Sequence, residues 1–111
     1  MAKSYSDEFS EEADVIHGKI YLAQGDILLK NGQFGRSLNK YQEAVLVSND
    51  LFYLVNEKEK TLAKAFLSDA SKGFEQGELI FIIESLEQSR NLNSNEDIEY
   101  NQLLTILENL K

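Results

Sequence analysis

Few side chains in this sequence could do chemistry, and they form no recognisable catalytic or metal-binding set. His17 is the only histidine, and there is no cysteine. A zinc ion needs three or four nitrogen, sulfur or oxygen ligands, so a single histidine without cysteine cannot hold one. We therefore interpret His17 as a half-buried helix residue, and we expect neither a metal nor any other cofactor.

The abundant carboxylates also lack the spacing of a known site. Asn95, Glu96, Asp97 and Glu99 superficially resemble a calcium loop, but the alternating acidic pattern and the later bidentate glutamate are missing. The Gly-Gln-Phe-Gly segment at 32–35 has no following Gly-Lys-Ser/Thr and no preceding strand, unlike a phosphate-binding loop. Because no Ser-His-acid or glycosidase set can be assembled, the sequence predicts a protein that is not an enzyme.

The composition narrows the class of partner. The net charge is -8 at pH 7, so the phosphates of a nucleic acid should repel the chain. The longest clean apolar run, at 79–83, is too short to cross a membrane, and the acidic N-terminal residues do not resemble a signal peptide. The absence of cysteine fits a reducing compartment. We therefore expect a cytoplasmic protein that binds neither nucleic acid nor membrane.

The elements that carry these residues are predicted to be helices. Proline is absent, and apolar residues recur three and four positions apart, which indicates an all-α fold. We expect a flexible segment over residues 1–9 and one helical domain over residues 10–111. The third helix either continues through the polar residues 56–60 as a solvated turn or breaks there. The predicted helices span roughly 10–31, 34–47, 50–75, 78–91 and 95–110.

The first two predicted helices form the most specific part of the chain. Gly32 should adopt a left-handed conformation at the end of the first helix. The first helix also carries a long apolar pattern, whose members are Phe9, Ala13, Ile16, Ile20, Ala23 and Ile27. Small residues are expected where the two helices cross, with aromatic rings filling the adjoining holes. The small residues are Ala23, Gly25, Ser37 and Ala44, and the aromatic residues are Phe34 and Tyr41.

The segment from Tyr21 to Asn49 resembles the tetratricopeptide repeat, a helix-turn-helix of about 34 residues. Gln24 departs from the family pattern by replacing a leucine, and Asn49 departs by replacing the closing proline. A weaker second copy over 63–96 is aligned on Gly77, which is predicted to form the second turn. The last helix, capped by Ser94 with Asp97, would cover the open end of an atypical two-repeat array. The positions that match the family are Tyr21, Gly25, Leu28, Gly32, Phe34, Ser37, Tyr41 and Ala44.

The resemblance implies a function in binding. In the family, the first helix of each repeat lines a concave groove that receives an extended peptide or a partner helix. Leu22 and Leu67 are expected to be exposed contacts, whereas Leu29 and Phe74 are explained equally well as core. Since the chain is acidic, an apolar or basic segment fits better than an acidic one. The groove positions carried over are Lys19, Leu22, Asp26, Leu29, Lys30, Lys64, Leu67, Ser71 and Phe74.

The sequence therefore predicts a non-enzymatic protein–protein interaction module, either an adaptor or a small chaperone-like binder of one partner segment. The alternative is self-assembly, because apolar residues of the last helix wrap more than one of its faces and would form a homodimer. These residues are Leu103, Leu104, Ile106, Leu107 and Leu110.

Overall fold

The computed structural model describes residues 2–70, 72–93 and 97–111, and it describes side chains for 12–70, 72–90 and 97–111. Within these residues the backbone is helical and contains no strand, which confirms the predicted all-α class. A short 3-10 helix at Asn49–Leu51 leads into the third α-helix. The α-helices are α1 (Ala2–Lys30), α2 (Phe34–Val47), α3 (Phe52–Ala70), α4 (Gln76–Asn93) and α5 (Ile98–Asn109).

The helix bounds agree with the sequence in part. The bounds of α2 are those predicted, whereas α1 begins at Ala2 instead of near residue 10. Helix α3 continues through residues 56–60, so the continuous alternative is confirmed. The interpretation of this stretch as a solvated turn is wrong, because the side chains of Glu59 and Lys60 are buried.

The chain divides into two compact units, residues 1–57 and residues 58–111, and α3 contributes to both. The sequence predicts one domain over residues 10–111.

The first unit is built on a hairpin of α1 and α2. Gly32 has a φ of 79°, a left-handed conformation that a residue with a side chain adopts only with strain. Its N–H donates to the Leu29 carbonyl at 3.0 Å, and the Gln33 N–H donates to the Leu28 carbonyl at 2.9 Å. These two bonds make up the Schellman arrangement that ends many helices. The predicted turn at Gly32 is confirmed.

The two helices cross where α1 lacks side chains. A Cβ atom on Gly25 would lie 2.5 Å from Tyr41 Cε1, and one on Gly18 would collide with the Leu51 side chain. Ser37 Oγ donates to the Gly25 carbonyl at 2.7 Å across this contact. The prediction that small residues lie at the helix crossing is confirmed for Gly25 and wrong for Ala23, which is exposed. Gly18 lies at the crossing in place of Ala23.

The second unit has a core drawn from α3, α4 and α5. Its predicted turn at Gly77 is wrong, because Gly77 lies in the first turn of α4. The chain turns earlier, after α3 ends at Ala70, and Gly73 is the residue with a positive φ, 111°. The alignment of a second repeat on Gly77 therefore has the wrong register. The buried apolar residues are Leu62, Ala63, Phe66, Leu79, Ile82, Ile83, Leu86, Tyr100, Leu103, Leu104 and Leu107.

Helix α5 begins with a side-chain cap. The Asp97 carboxylate accepts a hydrogen bond from the Tyr100 backbone N–H at 3.2 Å. Its other oxygen lies 2.6 Å from Lys60 Nζ. The Lys60 ammonium and then the Tyr100 N–H hold the pKa of Asp97 below its ordinary value, because both interactions favour the ionised carboxylate. The predicted partner cap, Ser94, lies outside the described residues.

Candidate interaction surface

Helix α1 has two apolar faces, and only one of them packs against the rest of the first unit. The buried face carries Gly18, Leu22 and Gly25. With 3.6 residues per turn, residues 13, 16, 20, 23 and 27 lie about 180° around the helix from that face. We call this second face the α1 stripe, and its members are Ala13, Ile16, Ile20, Ala23 and Ile27.

The α1 stripe is exposed along its whole length. Ile16 is 61% exposed, Ile20 is 49% exposed and Ile27 is 61% exposed, and both alanines are exposed. The stripe runs over four helical turns, or about 21 Å at the rise of an α-helix. Contiguous apolar patches of this kind are uncommon on the surfaces of monomers.

Polar side chains border the α1 stripe on both sides. Lys19 and Lys30 are exposed along one edge. On the other edge the His17 ring stacks on Tyr21, with centroids 5.5 Å apart and planes 8° apart. Lys40 of α2 places its ammonium 5.3 Å from the centroid of the same Tyr21 ring. His17, expected to be half-buried, is instead exposed at this edge. These edges of the stripe carry cationic and aromatic groups, whereas Glu12 and Asp50 line the surface depression that contains Ile16.

The groove residues predicted in the first unit do not form the expected surface. Leu22, predicted to be an exposed contact, is only 5% exposed because it packs against α2, so this prediction is wrong. Leu29 is half-buried, and Asp26 is tied to the hairpin through a 2.7 Å hydrogen bond from the Tyr41 hydroxyl. Burial of Tyr41 is the main cause that raises its pKa above the ordinary range. Lys19 and Lys30 are the members that remain available.

The groove residues predicted in the second unit also differ in their exposure. Lys64 is exposed and forms an ion pair with Glu99 of α5, and Leu67 is half-buried. Phe74 is partly exposed, with its ring 5.8 Å from that of the buried Phe66. Ser71 lies outside the described residues. Lys64 and Phe74 are therefore the accessible members in this unit.

The apolar residues of α5, which suggested a homodimer, are mostly internal. Leu103, Leu104 and Leu107 are buried in the core of the second unit, and only Ile106 of the predicted set is well exposed. Ile98 is exposed on the same helix. The surface that α5 offers to a second copy is therefore much smaller than the sequence suggests.

Among the described residues, no three histidine or acidic side chains are grouped to hold a metal ion. No helix in the described part of the chain is long and apolar enough to cross a membrane. The isoleucines of the α1 stripe are visible in the sequence as an amphipathic pattern. Their spacing does not reveal which face of α1 packs on α2, because the contact is made by glycines.

Comparisons of the chain with family models, with curated proteins and with solved structures found no match.

Proposed function

We propose that this chain is a non-enzymatic interaction module that binds an amphipathic helix of a partner protein along the α1 stripe. The single observation that carries the proposal is the row of exposed isoleucines on the side of α1 away from α2. The tetratricopeptide-like character of the first hairpin remains part of this proposal. The binding face moves from the groove predicted from the family to the neighbouring face of α1, which Lys19 and Lys30 border.

The shape of the stripe favours a helix as the bound element. It lies on one continuous helix, and all five of its members between residues 13 and 27 are exposed. A partner helix with apolar residues at i, i+3, i+4 and i+7 can lie along such a row. Addition of an extended peptide to a sheet would need an open strand edge, and the described residues contain no strand.

The charge of the chain favours a different protein over a second copy. Two copies would bring together net charges of -8 each, and like charges slow and weaken association. The cationic edges formed by Lys19, Lys30 and Lys40 suit scattered acidic side chains at the rim of the partner. Because the chain as a whole carries a net charge of -8, we commit to a neutral or weakly basic amphipathic segment as the occupant, with its few acidic side chains beside these lysines. One helix face is smaller than the ~800 Å² per partner of a standard interface, so we expect affinity in roughly the micromolar range.

Site-specific photo-crosslinking tests this proposal. A photoreactive amino acid replaces Ile20 in one version of the chain and Leu46 in a control version. Leu46 is 85% exposed on α2 and Ile20 is 49% exposed, so the control matches residue class and unit and is the more accessible of the two positions. After irradiation in cells of the source organism, mass spectrometry identifies the attached protein and segment. A synthetic peptide of that segment is then titrated against the parent chain and against the Ile16→Gln, Ile20→Gln double variant.

The expected result is one protein attached at position 20 and absent at position 46, through a segment with apolar residues at helical spacing. The double variant should bind the peptide at least about tenfold more weakly, as expected when two apolar anchors are lost. Equal attachment at both positions would contradict the proposed face. Attachment of only the chain itself, together with a dimer in sedimentation experiments, would make a second copy the occupant.

A further inference from the structure

The core of the second unit contains a carboxyl group that the proposed binding function does not use. Glu59 of α3 is only 1% exposed. Its Oε2 atom lies 3.2 Å from the hydroxyl oxygen of Tyr100 on α5. The same hydroxyl oxygen lies 3.1 Å from the Leu86 carbonyl oxygen of α4. One phenol group therefore joins the three helices of this unit.

The number of protons in this cluster determines its charge. A carbonyl oxygen has no proton, so the contact between Tyr100 and Leu86 is a hydrogen bond only if Tyr100 donates. The phenol has no second proton to give to Glu59. The contact between Glu59 and Tyr100 is then a hydrogen bond only if Glu59 is protonated and donates to the phenol oxygen. Both contacts are fully satisfied by a neutral carboxyl group.

The surroundings of Glu59 support the same protonation state. Burial raises its pKa from 4.5 to about 7, opposed by hydrogen bonds from Tyr100 and Ser89. Tyr100 can donate to an ionised Glu59 only by withdrawing its proton from Leu86. Two cationic side chains lie nearby, and each contacts a group other than Glu59. Arg90 of α4 hydrogen-bonds Asn101, and Lys60 pairs with Asp97 at the start of α5.

We infer that Glu59 forms a proton-sensitive contact that stabilises the second unit. Its protonated form joins α3, α4 and α5 through Tyr100, and loss of the proton weakens the packing of α5. When Glu59 is ionised, the buried carboxylate has no proton to donate. The single hydroxyl proton of Tyr100 can then go to Glu59 or to Leu86, but not to both. The unit therefore loses stability near neutral pH, where ordinary glutamates are already ionised and do not titrate.

The sign follows from comparing the two states of the chain. An unfolded Glu59 loses its proton near pH 4.5, and the folded one loses it near pH 7. Between these values the folded state binds more protons, so stability falls as pH rises. A difference of this size changes the unfolding equilibrium constant by on the order of 10²-fold, since each pKa unit is a factor of ten.

Two measurements test whether the Glu59 contact is proton-sensitive. The Glu59 side-chain carboxyl carbon is followed by NMR from pH 4 to 9 in the folded parent chain, where it should titrate well above the other glutamates. Urea unfolding is followed by circular dichroism over the same range in the parent chain and in Glu59→Gln. The amide of Gln can donate to Tyr100 at every pH, so this variant should lose the decrease in stability between pH 4.5 and 7.

The matched control is Glu84→Gln, which removes an exposed carboxylate from α4 and makes the same change in net charge. This control should keep the pH dependence of the parent. Titration of Glu59 at the ordinary position of a glutamate would overturn the inference without any variant. Retention of the parental pH dependence by a folded Glu59→Gln would also overturn it.

Discussion

The first unit makes its closest helix contact where side chains are missing, whereas the second unit joins its helices around buried polar groups. Gly18 and Gly25 let α1 approach α2, and hydrogen bonds from Ser37 to Gly25 and from Tyr41 to Asp26 join the two helices. In the second unit, Glu59 and Tyr100 connect three helices, and the contact depends on a proton. One short chain therefore combines a helix contact made by close backbone approach with a contact that we infer to respond to pH.

The largest expected effect is a difference in stability between substitutions on the two apolar faces of α1. Leu22→Ala should lower the free energy of unfolding by about 2–4 kcal/mol, because it opens a cavity against α2. Ile20→Ala should change it by less than about 0.5 kcal/mol, because Ile20 lies on the exposed stripe. Urea unfolding followed by circular dichroism measures the free energy of unfolding of both variants. Similar losses in the two variants would mean that the stripe is part of the core.

The next effect tests the glycine contact. Gly25→Ala should destabilise the chain by about 1–3 kcal/mol, because the added Cβ atom meets the Tyr41 ring and cannot be accommodated without a shift of α2. The control is Gly77→Ala, which adds the same atom to a helix with nothing within 4 Å. That control should stabilise the chain by up to about 1 kcal/mol through helix propensity. A neutral Gly25→Ala, found by thermal unfolding, would contradict the close approach.

A smaller effect tests the buried polar cluster. Tyr100→Phe at pH 5 should lower the free energy of unfolding by about 1–2 kcal/mol, since Glu59 and the Leu86 carbonyl both lose a partner. The matched control is Tyr53→Phe, which removes the same hydroxyl from an exposed ring and should be neutral within about 0.5 kcal/mol. Equal behaviour of the two variants in urea unfolding would show that the Tyr100 hydroxyl is dispensable.

The smallest effect concerns the start of α5. Asp97→Asn keeps a capping oxygen but removes the negative charge that faces Lys60. Because the folded pKa of Asp97 is lowered, its stabilising effect is present above the ordinary pKa of aspartate and is lost as pH falls through the folded value. The variant should therefore be slightly less stable than the parent at pH 7, and the difference should vanish once the pH is low enough to protonate Asp97 in the folded chain. Asp69→Asn, at an exposed position of α3, is the control, and a pH-independent difference would exclude this mechanism.

The first hairpin could be predicted from the sequence because its signals are local. Gly32 after a run of helix formers predicts the turn, and the bounds of α2 follow from that turn. The face of α1 that is buried could not be predicted in the same way. Periodicity finds two apolar rows, and hydrophobicity favours the isoleucines. The structure buries Gly18 and Gly25, because close approach of two backbones requires the absence of side chains.

The second unit was harder to predict because its decisive contacts are distant in sequence. Gly73 and Gly77 are both plausible turn residues, and the end of the apolar core of α3 decides between them. Glu59 and Lys60 lie in a polar stretch that resembles a solvated surface. They are buried because Tyr100 and Asp97, about forty residues later, supply their partners. No local pattern contains that information.

The span of chain closed by each contact sets an order of events during folding. The bond between Ser37 and Gly25 joins residues 12 positions apart, whereas the contact between Tyr100 and Glu59 joins residues 41 positions apart. Closing the longer loop costs about 1 kcal/mol more in chain entropy. The α1–α2 hairpin should therefore form before α5 docks. In pulse-labelling hydrogen exchange, the amides of α2 should become protected earlier than those of α5, and the reverse order would contradict this sequence of steps.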